Sequence, residues 1–388
     1  MTAATEFGAY PLGLTEAQEE RARNLHAESI VIDMLYWGPL SWRGYTPAME
    51  QELRDKHAVH QNALANTMEA LHQPVRWAID GRFPELRDIW AQSGITAASV
   101  QTQVGDPLLL LESAGYLNAA ASGLDWIRRV DTADDIVAAK AAGQLALFGQ
   151  CQPITPVARD LRLLDYARDL GLRILMLTYN HQDAVGAGGT EIHDAGLSAF
   201  GQRVVAHCNA NKIIVDTAHC GPQTTLDACR CSKDPVVATH TSARGVFAHD
   251  RGKSDDVLKA LADTGGVIGI VTVPFFIAPP RTATIETWAD HVEYIAELVG
   301  VDHVGIGTDW PMPGPMFSLE LVADFAQQNG FRGAEHQIDD TGYTAAGFDD
   351  YRDMGNLTRV LVARGWSDDD IKAVLGGNAL RVFRHVLG

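Results

Sequence analysis

Eight short apolar runs, close to unbroken in hydrophobic residues and separated by helix-like stretches, constrain this sequence more than any other feature. They are Ser29–Leu35, Ile95–Thr102, Leu145–Cys151, Leu172–Asn180, Lys212–His219, Val236–Ser242, Val267–Pro274 and His303–Trp310. A strand open on one face alternates polar and apolar residues, whereas a parallel strand covered on both faces does not. The stretches between the runs carry helix signatures. In Asp160–Leu170, Leu161, Leu164, Ala167 and Leu170 fall on one face at helical spacing, and Gly171 follows as a stop. Asp255–Asp263 opens on two aspartates, which suit the positive end of a helix dipole, and Ser367 precedes three more. Strand–helix alternation implies right-handed parallel crossovers. Eight such units predict an α/β chain closed into a (β/α)8 TIM barrel, where five or six would predict an open sheet.

Two long departures break the pattern. Residues 36–94, after the first run, are rich in Trp, His and Pro and predict an inserted helical lid. Residues 311–350, after the eighth, open on PMPGP and predict a long loop or cap. Both follow strand C-terminal ends, where barrel enzymes build their sites. The whole chain, 1–388, reads as one domain, since barrels with insertions reach this length.

Composition narrows the function classes. Lys and Arg number 31 against 49 Asp and Glu, a net charge of −18, which argues against nucleic acid or an anionic membrane as partner. The most apolar stretch, Gly265–Pro280, is interrupted by Pro274 and too short to span a bilayer. The N-terminal residues lack the basic and apolar regions of a secretory signal. The five cysteines (Cys151, Cys208, Cys220, Cys229 and Cys231) match neither a paired zinc motif nor a disulfide framework. These features predict reduced thiols and a cytoplasmic protein.

In a barrel the strand C-termini converge on one mouth, so the last residues of each run are informative. The fifth run ends at His219, the sixth in Thr239-His240-Thr241, and the eighth in Gly307-Thr308-Asp309. Two imidazoles and a carboxylate at one mouth suit a divalent metal such as zinc. Asp309 is then a ligand, or the general base that takes a proton from water.

At these residues the sequence resembles the renal-dipeptidase-like (membrane dipeptidase) peptidases of the amidohydrolase superfamily. The likeness runs from about Gly171 to Trp310 and returns at the C-terminus. LRILMLTYN, GLSAFGQRVVAHCN and VDTAHC match, the last being similar to D-x-S-H. THTSARGVFAHDRGKSDD resembles S-H-S followed by H-x-R-N-x-x-D-D, HVGIGTDW resembles G-I-G-x-D, and LGGNALRVF resembles G-G-N-x-x-R-V. The resemblance implies a (β/α)8 barrel that hydrolyses dipeptides with a pair of zinc ions. It implies that His219 and His240 are metal histidines, that Asp309 is the eighth-strand aspartate, and that Arg251 holds the substrate carboxylate.

The sequence departs from that pattern where it matters for metals. The family opens on D-G-H-x-D; here Asp33 is followed by Met34, Leu35, Tyr36 and Trp37, so Leu35 and Trp37 stand at the ligand positions. Gln152, or Gln150 if the alignment slips, stands for the bridging glutamate, Tyr179 for the fourth-strand histidine, and Pro311 for the second aspartate of D-x-D-G. A two-metal centre is not expected. The leading reading is a metal-dependent hydrolase of a small amide or peptide-like carboxylate. It has one divalent ion at most, zinc, on His219 and His240, with Arg251, Tyr179 and Gln152 as substrate contacts. Tyr36, Trp37 and Trp42 read as core or lid aromatics, and Cys220 as inert packing. The rivals are a metal-free lyase or isomerase, in which the same trio works as acid–base groups, and a binding protein without chemistry. Homodimers are common in the family, and no interface is legible in the sequence.

Overall fold

The computed structural model describes residues 10–41, 44–60, 63–102, 107–152, 160–311 and 344–388, with the side chains of 57–68 left aside. Each of the eight runs becomes a strand: β1 (Ile32–Asp33), β2 (Ala97–Gln101), β3 (Leu145–Cys151), β4 (Leu172–Met176), β5 (Ile214–Asp216), β6 (Val236–Ala243), β7 (Ile268–Ile270) and β8 (Val304–Ile306). All pair in parallel. Ile32 pairs with Ala97, Ala97 with Ala146, Gln150 with Ile174, Ile174 with Ile214, and Val215 with Val236. Ala238 pairs with Ile268, Ile268 with Val304, and Asp33 with Ile306 closes the ring. The result is the (β/α)8 barrel that the alternating pattern predicts.

The continuity of the apolar runs follows from burial on both faces. Ile32, Met34, Ala146, Phe148, Ile174 and Val237 belong to one buried cluster, in which the Phe148 and Phe383 rings meet edge-on at 5.0 Å. Their strand neighbours, such as Val31, Leu147, Leu175 and Val215, face a second cluster. The C-terminal helix, Asn378–Leu387, is tied to the start of β8 by Asn378, whose amide donates to the carbonyls of Val301 and Val304 at 2.7 and 2.8 Å.

Three details differ from the sequence expectation. Pro274 opens a short helix, Pro274–Ile277, rather than ending β7, because proline has no N–H for a sheet ladder but suits a first helical position. Two short strands went unpredicted: Ile127–Arg129 pairs with the start of β3, and Gly252–Lys253 with the end of β6. The insertion after β1 is helical as expected (Pro47–His60, Ala63–Ile79 and Leu86–Ser93). The loop expected after β8 falls largely in residues 312–343, outside the described residues, as does Trp42. No helix among the described residues is long and apolar enough to cross a membrane.

Close approach of β8 to β6 depends on Gly307. A Cβ there would run into the Thr239 carbonyl and press on the His240 Cα at 3.3 Å. Since overpacking a buried site costs about 1–3 kcal/mol, Gly307→Ala is expected to lower stability by that amount in urea unfolding. It is also expected to displace His240, so any activity should fall by more than the loss of folded protein accounts for.

Candidate active site

Two buried aspartates build the mouth, and they do so in the same way. Asp33 of β1 accepts from the Leu35 and Thr308 backbone N–H groups at 3.1 and 2.9 Å, and from the Thr308 hydroxyl at 2.6 Å. Asp216 of β5 accepts from the Ala218 and Thr239 N–H groups, both at 2.9 Å, and from the Thr239 hydroxyl at 2.6 Å. Each clasp fixes a threonine on a neighbouring strand, and the residue after that threonine is a site residue: Asp309 in one case, His240 in the other. Burial pushes the Asp33 carboxyl up to about 7 and raises that of Asp216, while the bonds from Thr308 and Thr239 pull the other way. These four residues were missed in the sequence; the signal was an aspartate two positions before Leu35 and before Ala218. Removing one charged hydrogen bond costs about 1.5–3 kcal/mol. Thr308→Val is therefore expected to lower the unfolding free energy by that much, read from denaturant titration.

The proton inventory at the histidines is fixed by their partners. Thr239 gives its one hydroxyl proton to Asp216, so at 2.7 Å from His240 Nδ1 its oxygen accepts and the imidazole donates. His240 Nε2 is then a bare lone pair, buried and without a hydrogen-bond partner among the described residues. His219 Nδ1 likewise donates to Asn180 Oδ1 at 2.7 Å. The two rings lie 4.8 Å apart, and the Tyr179 ring stacks on His219 at 4.0 Å. Burial, followed by the charge of Arg251, holds both imidazoles well below their ordinary pKa, so both are neutral.

Arg251 is buried, not solvated, at 2% exposure. Its guanidinium donates to the Ala218 carbonyl at 2.6 Å and the His240 carbonyl at 3.2 Å, tying together the two strand ends that carry the histidines, while its Nε has no partner among the described residues. Lys253 adds a further tie, donating to the carbonyls of Thr217 and Cys220 at 2.9 and 2.7 Å. Cys220 is buried and its thiol is pushed up to about 11 by burial, as expected of inert packing.

Asp309 sits at φ 54°, a left-handed backbone that favours glycine and is held here by its surroundings. Its N–H donates to the Leu35 carbonyl at 2.9 Å, and its Oδ1 accepts from the Trp37 indole Nε1–H at 2.8 Å. Burial pushes its carboxyl up to about 6, against the Trp37 bond and the charge of Arg251, which lower it. Gln150 and Gln152 are both buried; Gln150 donates to Asp216 at 3.4 Å, and among the described residues its Oε1 and Gln152 Nε2 have no partner.

A family model described as Membrane dipeptidase (Peptidase family M19) matches residues 19–327 and 333–387. The chain belongs to the membrane dipeptidase family. An uncharacterized dipeptidase of Schizosaccharomyces pombe is 34% identical over 207 residues, 51% of this chain and 50% of that protein. Dipeptidase verJ of Clonostachys rogersoniana is 30% identical over 252 residues, 63% of this chain and 56% of that protein. The chain spans about half the length of the curated relatives it matches. An amidohydrolase structure from Pseudomonas aeruginosa is 26% identical with a TM-score of 0.73, covering 95% of this chain and 99% of that one. The probable dipeptidase PvdM from the same organism, 17% identical with a TM-score of 0.72, covers 96% of this chain and 99% of its own and shares the fold.

The family suggests a divalent metal, and the two halves of the mouth answer differently. Among the described residues no three His, Cys, Asp or Glu side chains come together as a ready-made site for an ion. The β1–β8 half does not suit a metal: Leu35 is packed in the core, Trp37 donates to Asp309, and the Asp33 carboxylate is taken up by Leu35 and Thr308. The β5–β6 half does suit one, because its imidazoles are neutral and the His240 Nε2 lone pair is buried without a partner.

Proposed function

We propose that this protein hydrolyses small peptide-like amides that carry a free carboxylate, using one surviving half of a dipeptidase centre. The observation that carries the reading is the half-buried, weakly acidic Asp309 at the same mouth as two neutral imidazoles and a buried guanidinium. His219 and His240 would hold a single divalent ion, zinc by ligand chemistry, which when bound polarises a carbonyl and acidifies water. Asp309, ionised above about 6, takes one proton from the attacking water. The water oxygen bonds to the amide carbon, the C–N bond breaks, and the proton passes to the departing amine. The products are a carboxylic acid and an amine, and transfer of the second water proton between them leaves a carboxylate and an ammonium. Arg251 binds the substrate carboxylate through its unpaired Nε face, with Tyr179 and Gln152 as polar contacts at the rim. The dipeptidase names of the relatives point to the same substrate class. We extend the reading to one domain over residues 1–388 working in a reducing cytoplasm, which the free thiols of Cys208, Cys220, Cys229 and Cys231 suit.

A panel of dipeptides, their C-terminal amides and N-acyl amino acids, assayed with and without added zinc, tests this. Turnover of free-carboxylate dipeptides is expected, with His240→Ala abolishing both turnover and bound metal. A protein that cleaves no amide in the panel at any zinc level, yet binds these compounds unchanged, is a binding protein and not this hydrolase.

A further inference from the structure

The two residues that stand at the first-strand ligand positions both grip Asp309. The carbonyl of Leu35 accepts from the Asp309 backbone, and the indole of Trp37 donates to its carboxylate. Trp37 is itself anchored: its backbone N–H donates to the Tyr351 hydroxyl at 3.0 Å, the Tyr351 ring meets that of Tyr36 at 4.4 Å, and the chain turns at Gly38 with φ 115°. The indole is therefore aimed, not merely adjacent. We propose that Trp37 is a positioning residue that takes the place of a metal ion at Asp309, holding its carboxylate by a neutral N–H bond and keeping it out of any metal's ligand set.

The chemistry of the two arrangements differs. A divalent ion binds carboxylate lone pairs, keeps the group ionised and removes it as a base. An indole has one donor and no charge, so it fixes one oxygen and leaves the second open to a water or a substrate proton. Asp309 thereby keeps its basicity in a site whose positive charge comes from Arg251. The inference deepens the proposed hydrolase reading by assigning Asp309 wholly to proton transfer, and it limits the protein to one ion, on the histidine half.

Metal counting tests this without reference to any substrate, so failure of the hydrolase reading would leave its outcome intact. The full-length protein is equilibrated with zinc, freed of excess by gel filtration and measured by elemental mass spectrometry. The parent is expected to hold no more than one ion per chain, and Asp309→Asn to hold the same amount as the parent. Trp37→Phe, which keeps an aromatic ring while removing the donor together with part of the indole's bulk, should also leave the count unchanged while slowing turnover. The double variant Leu35→His/Trp37→Asp should gain one further ion, with a cobalt absorption band that the parent lacks. Adding Asp309→Asn to that background should weaken the new site by about tenfold or more. Two ions in the parent, metal lost on Asp309→Asn alone, or a folded double variant that gains none would each overturn the proposal. Should the double variant fail to fold, the counts on the parent, Asp309→Asn and Trp37→Phe still decide it.

Discussion

Asp309→Asn is expected to cut turnover by roughly 10²–10⁴-fold, the range over which a general base contributes. Asparagine keeps the size of the side chain and an oxygen for the Trp37 indole, so the clasp around residue 309 survives while the base is lost. The pH dependence follows from the same group. Burial raises its pKa to about 6, and only the ionised form accepts a proton. Activity of the parent should therefore fall about tenfold per pH unit below about 6, and the residual activity of the variant should lack that limb. Stability runs the other way. A carboxyl whose folded pKa lies above its unfolded value favours folding when protonated, an advantage complete below the unfolded pKa and lost as pH rises through about 6. At pH 8 the ionised Asp309 costs stability, so Asp309→Asn should melt higher than the parent there, and the difference should shrink at pH 4. A variant that keeps full turnover, or keeps the acid limb, would remove Asp309 from the base role.

What the sequence made legible has a physical reason. All eight barrel strands were readable because strands covered on both faces need apolar residues at every position, and the helices between them carry their own start signals, such as the Ser367 cap on Asp370. The strand Ile127–Arg129 was not readable, since two of its three residues are arginines whose place is decided by packing beside β3. His219, His240 and Asp309 could be picked out as strand-end residues, but what they touch could not. Trp37 and Asp309 meet across 272 residues of chain, and no local pattern encodes that bond. The Asp33–Thr308 and Asp216–Thr239 clasps were hidden for a related reason. An aspartate at the end of an apolar run looks like a surface residue until closure of the barrel buries it, and only then does its pairing with a threonine on the neighbouring strand matter. Arg251 was read as the residue that holds a substrate carboxylate, but its burial was not legible in the charged run around it, where the short strand Gly252–Lys253 pairs with β6.

That burial makes Arg251 the residue whose replacement should separate binding from folding. A lysine is a point charge with a shorter reach and no fork, so Arg251→Lys is expected to hold less well the two carbonyls that the guanidinium now serves, those of Ala218 and His240. The weakened tie should lower stability by about 0.5–1.5 kcal/mol, visible as a drop in the denaturation midpoint. The effect on substrate is a separate quantity. If the partnerless Nε face binds the substrate carboxylate, losing that charged hydrogen bond should cost about 1.5–3 kcal/mol, or roughly 10–150-fold in kcat/KM. The loss should fall on KM more than on kcat, because the carboxylate is held equally in ground and transition states. The decisive comparison pairs each dipeptide with its C-terminal amide. The parent should prefer the free carboxylate by a factor of that order, and Arg251→Lys should treat the two forms nearly alike. A variant that loses the same factor on both would show that Arg251 acts only by tying β5 to β6, and the carboxylate clamp would have to be sought elsewhere at the mouth.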